Sequence, residues 1–224
     1  MASLDPNSLQ RRARRAVSYF WGRLRGGPES SRASDYWGGL ADYHLSNDDD
    51  PVAKARSQWL AEEVVPRLSL MSLWEIGTNS GRNLEVIRSV HPGIRLKGTD
   101  VNARAIDFAK GKGLDIEFEL ADANEWTEPE YGWDAVLTMS VLDHIPDDAT
   151  EALAANISKT SSHVITVELW DGAAGSRGVY KYSRDNKALF ERHGYATLQW
   201  ELAPGQYDIE QSQLWVYVGR AAWA

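Results

Sequence analysis

From residue 72 onward, short apolar runs alternate with stretches whose apolar residues recur every three to four positions. Runs of four to eight apolar residues read as strands, and the three-to-four spacing reads as helix. Strands are thus predicted over 73–76, 94–99, 116–120, 134–139 and 164–169. Helices are predicted over 82–90, 102–110, 147–159 and 184–193, the last closed by Gly194. Two further β runs, 196–202 and 213–218, are joined through Pro204-Gly205 with no helix between them. Alternating strands and helices predict a mostly parallel sheet covered on both faces, and the terminal pair predicts an antiparallel hairpin at one edge.

The first 65 residues follow another rhythm. Residues 10–25 have the spacing of a short basic amphipathic helix, stopped by Gly26, Gly27 and Pro28. Residues 26–35, rich in Gly, Ser and Pro, read as a linker. An aromatic segment with Tyr36, Trp37 and Tyr43 follows, then the acidic turn Asp48-Asp49-Asp50-Pro51, then helical spacing over 52–65. The expected organisation is a basic arm and linker over 1–34 and one domain over 35–224. Within that domain, 35–65 is a lid or helix and 72–224 is the core.

Composition narrows the chemistry. With 224 residues the chain suits a single α/β domain, and its 43% hydrophobic and 25% charged residues are ordinary for a globular protein. It has no cysteine, which excludes disulfides, a thiolate nucleophile and Cys-based metal sites. The remaining histidines, His44, His91, His163 and His193, have no metal-site spacing, and no metal is expected. The net charge is −8, yet residues 1–25 hold six arginines against one aspartate. An acidic body argues against a nucleic-acid partner, since phosphate contacts need clustered Lys and Arg. The arm is either a solvated face, a peripheral contact with an anionic membrane surface, or a contact with a polyanion or an oligomer partner. No run is long enough to span a bilayer and the N-terminus lacks the apolar stretch of a secretory signal, so a cytoplasmic protein is expected.

The candidate chemistry lies at the strand ends. The first strand runs into Glu75-Ile76-Gly77-Thr78-Asn79-Ser80-Gly81, where two glycines allow a tight turn and close approach of backbone to a ligand. A dinucleotide fingerprint would need glycine where Asn79 and Arg82 stand, which disfavours an NAD-dependent oxidoreductase. The second strand ends in Asp100, suited either to a ribose diol or to capping the next helix. The third ends in Ala121-Asp122-Ala123-Asn124 and the fourth in Ser140-Val141-Leu142-Asp143-His144-Ile145-Pro146. Four successive strands thus bring polar or glycine-rich ends to the carboxyl edge, where open α/β sheets bind ligands.

Glu75-Ile76-Gly77-x-x-x-Gly81, Asp100, Asp122 and Val141 to Pro146 together resemble the successive motifs of class I S-adenosylmethionine-dependent methyltransferases. The resemblance covers residues 72–170 well and the tail in outline. It implies a Rossmann-like, seven-stranded, mostly parallel sheet flanked by helices, with S-adenosylmethionine as cofactor. Glu75, Gly77, Thr78, Asn79 and Gly81 would form the loop under the methionine and ribose. Asp100 would hold the ribose hydroxyls with Val101 on the adenine, Asp122 and Ala123 would meet the adenine, and Ser140 and Val141 would lie near the sulfonium. Asn79 departs from the family's middle glycine, although Asn accepts a positive φ better than most residues.

Methyl transfer gains most from alignment and exclusion of water, and a hydroxyl acceptor also needs a base. His144 and the adjacent Asp143 are the candidates. The alternative for His144 is a structural role in closing the loop at Pro146. Tyr36, Trp37, Tyr43, Trp170, Arg177 and Tyr180 are candidates for the acceptor pocket, with 171–183 either a lid or a plain connection. The expected activity is methylation of a small-molecule or glycan-like acceptor, at oxygen. A non-catalytic cofactor-binding subunit on the same fold is the non-enzymatic alternative.

Overall fold

The computed structural model describes residues 29–126, 132–178, 180–204 and 213–224. The Arg-rich arm and the connection after Pro204 lie outside the described residues. Three helices come first: α1 (Glu29–Gly38), α2 (Tyr43–Asp48) and α3 (Pro51–Trp59). Helix α3 starts where the Asp50 carboxylate accepts from the Val52 and Ala53 N–H groups, and it continues through a π turn over Leu60–Val64. The linker expected over 26–35 is, from Glu29 on, helix α1, and the expected boundary at 34/35 passes through it. Ala33 and Tyr36 are buried against Tyr180, so this polar segment is held by tertiary packing rather than by its own periodicity.

The core then alternates as expected. Strands β1 (Ser72–Ile76), β2 (Arg95–Asp100), β3 (Glu117–Leu120), β4 (Trp133–Met139) and β5 (Ser161–Leu169) pair in parallel. Between them lie α4 (Arg82–Val90), α5 (Ala103–Gly111) and α6 (Asp147–Thr160). Asn102 caps α5 by accepting from the Arg104 and Ala105 N–H groups. Within 171–183, where a lid loop or plain connection is expected, β6 (Gly175–Gly178) and β7 (Lys181–Ser183) pair antiparallel. Helix α7 (Asn186–Arg192) leads to β8 (Tyr195–Leu202) and β9 (Leu214–Ala221).

The seven-stranded sheet has the order β3-β2-β1-β4-β5-β9-β8. The terminal strands are antiparallel as expected, but β9 inserts between β5 and β8, which leaves β8 at the edge. One face packs Leu60, Leu73, Leu84, Ile87 and Ile106, and the other packs Trp74, Val136, Leu153, Ile157 and Phe190. Among the described residues the β3–β4 crossover contains only a 3-10 turn, Ala123–Glu125, after which Trp126 lies edge-on to Trp74 at 4.7 Å.

Phe190 is fully buried and stacks on Tyr217 with ring centroids 6.0 Å apart, edge-on to Tyr195. Truncation leaves a cavity and exposes no compensating surface, so Phe190→Ala is expected to lower the unfolding free energy by about 3–5 kcal/mol in urea titration.

Candidate active site

The glycine loop is built around a buried acid. Glu75, the fourth residue of β1, is 1% exposed. Its Oε2 accepts from the Thr78 hydroxyl at 2.8 Å and its Oε1 from Asn83 Nδ2 at 2.6 Å. Burial pushes the carboxyl up to about 7, against the lowering effect of Asn83, Thr78 and the Arg82 charge. The Ser57 hydroxyl donates to Asn83 Oδ1, Arg82 Nε donates to Ser57 Oγ at 3.0 Å, and Arg82 Nη1 donates to the Asn47 carbonyl. Arg82 therefore stands where a dinucleotide fold wants glycine because it links the loop to α2 and α3.

The loop crosses itself in left-handed backbone. Gly77, Asn79 and Gly81 have φ of 74°, 51° and 75°. At Gly77 a Cβ would come within 2.2 Å of Val141 Cγ2, so no other residue fits the turn. Asn79 tolerates its angle as expected of an Asn, and its N–H donates to Asp100 Oδ2 at 2.8 Å. Asp100 Oδ1 accepts from the Asn102 N–H, also at 2.8 Å, and burial raises this carboxyl above the ordinary range. Asp100 stands at the strand end and holds the turn, but the cap of the next helix is Asn102 rather than Asp100.

Asp122 Oδ1 accepts from the N–H and the side chain of Asn124, opening the 3-10 turn that contains Ala123. Asp122 and Ala123 line a cavity of about 370 Å³ together with Ile76, Thr99, Trp74 and Trp126. Helix α1 roofs the strand ends. Asn124 Nδ2 donates to Ser34 Oγ at 2.8 Å, and Asn102 Nδ2 donates to the Trp37 and Leu40 carbonyls at 3.1 and 2.8 Å. Gly38 lies on Val101, whose carbonyl oxygen would be 3.1 Å from an added Cβ.

At the other end of the roof, Trp37 meets His144 with ring centroids 4.1 Å apart and Tyr43 at 5.8 Å. His144 Nδ1 is 2.8 Å from the Tyr180 carbonyl, which can only accept, so the proton sits on Nδ1 and Nε2 presents a lone pair. His144 Nε2 is 3.7 Å from Asp143 Oδ1. Ser140 takes φ 52° at the end of β4, and the Val141 N–H donates to Glu168 at 2.9 Å. Tyr36 and Tyr180 are buried against each other and support the roof. Trp170 is half-buried beyond β5, its N–H donating to the Gln213 carbonyl. The side chain of Arg177 lies outside the described residues.

Sequence reasoning missed Asn83, Asn102, Asn124 and Glu168. Glu168 carried a signal, an acid inside the otherwise apolar β5 run that a doubly covered strand does not tolerate without a partner. Asn102 carried a helix-cap signal, but the contacts that tie Asn83 to Ser57, Asn102 to Trp37 and Leu40, and Asn124 to Ser34 lie far away in sequence.

The raised Glu75 carboxyl has a definite effect on stability. Its folded value is above the unfolded one, so its contribution is full below pH of about 4.5 and is lost as the pH rises through about 7. Relative to Glu75→Gln, the wild type is expected to lose about 3 kcal/mol of unfolding free energy across that interval and none beyond it. Urea titrations of both proteins from pH 4.5 to 8 check the difference.

The profile of the methyltransferase domain family matches residues 74–162. A trans-aconitate 2-methyltransferase of Methylobacterium radiotolerans is 31% identical over 85 residues, 38% of this chain and 31% of that protein. The match thus spans less than a third of that relative. The structure of N-methyltransferase NodS from Bradyrhizobium japonicum, solved with S-adenosylhomocysteine, superposes with a TM-score of 0.64 at 17% identity. It covers 87% of this chain and all of NodS. The [4+2]-cyclase SpnF superposes with a TM-score of 0.62 at 14% identity, over 75% of this chain and 81% of that one. No helix among the described residues is long and apolar enough to cross a membrane. The domain matched at 74–162 and the sheet order built around it give the chain the Rossmann-like fold of the methyltransferases it resembles.

Proposed function

We propose that this protein transfers a methyl group from S-adenosylmethionine to a hydroxyl of a small-molecule or glycan-like acceptor, with His144 as the base. The observation that carries the reading is the His144 tautomer. Nδ1 is engaged by the Tyr180 carbonyl, and Nε2 is left to take a proton beside the Asp143 carboxyl. In this reading the catalytic unit starts at α1, inside the expected linker, and runs through β9.

The strand ends suit the cofactor's chemistry. A nucleoside offers hydroxyl and amino donors, and this cleft is rich in acceptors. Asp100 and Asp122 stand at neighbouring strand ends, and the buried Asn124 Oδ1 has no hydrogen-bond partner. Glu75, Gly77, Thr78, Asn79 and Gly81 would hold the methionine and ribose portions, with Val101, Ala123, Ser140 and Val141 around the rest. Bound there, S-adenosylmethionine supplies an activated methyl group on a positively charged sulfur. The roof of Trp37 and Tyr43 excludes water and offers ring faces to a planar or sugar acceptor. His144 Nε2 accepts the hydroxyl proton, and Asp143 stabilises the resulting imidazolium.

The relatives act at different atoms by name, one on trans-aconitate and one at nitrogen. A neutral hydroxyl suits the present site better than a carboxylate. The Asp143 carboxyl lies beside His144, and the nearby Arg184 is engaged by Asp147 and by the Leu142 and Ile145 carbonyls. A carboxylate would meet like charge there, and it needs no base.

Calorimetry with S-adenosylhomocysteine, with NAD as the control, is expected to show micromolar binding of the former alone. Asp100→Ala is expected to weaken that binding by about 1.5–3 kcal/mol, roughly 10- to 150-fold, through lost charge-assisted bonds. Unchanged affinity in the folded variant would remove the ribose assignment. With a panel of phenols, glycosides, amines and carboxylic acids, the readout is release of S-adenosylhomocysteine. His144→Ala is expected to lower turnover of a hydroxyl acceptor about 10²- to 10⁴-fold while leaving cofactor affinity within about threefold. A matched loss of both would make His144 a residue that only shapes the loop, and binding without transfer to any acceptor would favour a non-catalytic role.

A further inference from the structure

We propose that Glu168 is a positioning residue for the acceptor site, a buried carboxyl that clamps the 140–143 turn and presents Asp143 to His144 Nε2. The inference rests on the methyltransferase reading given above.

Glu168 is the eighth residue of β5 and is fully buried, opposite Trp215 of β9 in register. Its two oxygens receive the Val141 N–H at 2.9 and 3.2 Å, and its Oε2 receives the Asp143 N–H at 3.3 Å. The preceding N–H, from Ser140, donates to the Val167 carbonyl at 2.9 Å. Adjacent β5 residues thus hold three N–H groups of the turn. That hold offsets the left-handed backbone of Ser140, an angle unfavourable to a residue with a Cβ.

The Asp143 side chain follows from the clamp. It is buried, its N–H is held by Glu168, and its Oδ1 has no hydrogen-bond partner. The same Oδ1 is 3.7 Å from His144 Nε2. Two buried carboxyls side by side cannot both carry charge, and one proton between them is the stable arrangement. Burial and the neighbouring Asp143 carboxyl raise Glu168 well above the carboxylate range. On the other side of the turn, Arg184 donates to the Leu142 and Ile145 carbonyls and pairs with Asp147. A proton arriving on His144 Nε2 therefore meets a fixed carboxyl oxygen that has no other hydrogen-bond donor. Glu168 touches neither acceptor nor cofactor in this account and acts through Asp143.

The test compares Glu168→Gln, Glu168→Ala and Asp143→Asn in the full chain. In the ligand-free protein, exchange of the Val141 and Asp143 amides is read by NMR. The alanine variant is expected to exchange them at least about tenfold faster, and the glutamine variant, which keeps an acceptor and a donor, within about threefold of wild type. With the hydroxyl acceptor found in the panel, Glu168→Ala is expected to lower kcat about 10- to 100-fold with KM and S-adenosylhomocysteine affinity within about threefold. Glu168→Gln should restore most of that loss. The double variant Glu168→Ala/Asp143→Asn should be no slower than Asp143→Asn alone, since both act on one charge. If the alanine variant does not fold, Glu168→Asp, which withdraws the carboxyl by one carbon, takes its place with the same expectations. Unchanged amide exchange, failure of Gln to rescue, or additive losses in the double variant would each overturn the proposal. Loss of S-adenosylhomocysteine binding in the wild type would instead sink the methyltransferase reading, while the amide exchange would still report on the clamp.

Discussion

Burying Glu75 at the end of β1 is unfavourable by several kcal/mol unless its oxygens find donors, and the surrounding residues are arranged to supply them. Thr78 donates from the loop itself and Asn83 from the first turn of α4. Asn83 is in turn oriented by Ser57 of α3, and Ser57 by Arg82, which also holds the Asn47 carbonyl at the end of α2. The N-terminal helices, the glycine loop and the first core helix are thus joined through one buried acid. Removing any member leaves another buried polar group unsatisfied, which is why the network holds the loop in one conformation.

The same device recurs across the cleft. At β1 the loop takes a left-handed Asn79 whose N–H is received by Asp100. At β4 the turn takes a left-handed Ser140, and the next N–H is received by Glu168. In both places a carboxyl from the neighbouring strand collects backbone donors that the sheet cannot pair. The two turns also touch directly, through Val141 packed on the bare Cα of Gly77. Helix α1 then closes over both, tied by Asn102 and Asn124 and by the Trp37–His144 contact. A site shaped this way is preorganised, since its donors and acceptors are fixed before any ligand arrives.

The fold shared with methyltransferases fixes the scaffold and leaves the chemistry to the site. A cyclase and an N-methyltransferase share this fold at comparable similarity, so the difference between them lies in side chains at the strand ends. In the present chain those side chains are a histidine with a defined tautomer, a pair of buried carboxyls and an aromatic roof.

The alternation of elements was legible because each is a local matter. Helix α4 falls where its apolar spacing and the preceding Gly81 put it, and Asp50 and Asn102 mark helix starts by capping their own turns. The glycine loop, Asp100, Asp122 and the segment around His144 were legible because each follows a strand, and parallel strands bring their carboxyl ends to one edge. Other features depend on partners distant in the chain, and no local pattern encodes those. The insertion of β9 between β5 and β8 is decided by long-range pairing such as Val164 with Gly219. Helix α1 reads as a linker because its own residues favour nothing; it becomes a helix when Ala33 and Tyr36 are buried on Tyr180, some 150 residues away. Glu168 shows as an oddity in an apolar strand, but its meaning comes from Asp143, which the turn after β4 folds back onto it. Local propensity and periodicity determined the elements and the edge on which the site lies; burial of polar groups between distant segments decided which side chains are fixed there and which of them face one another.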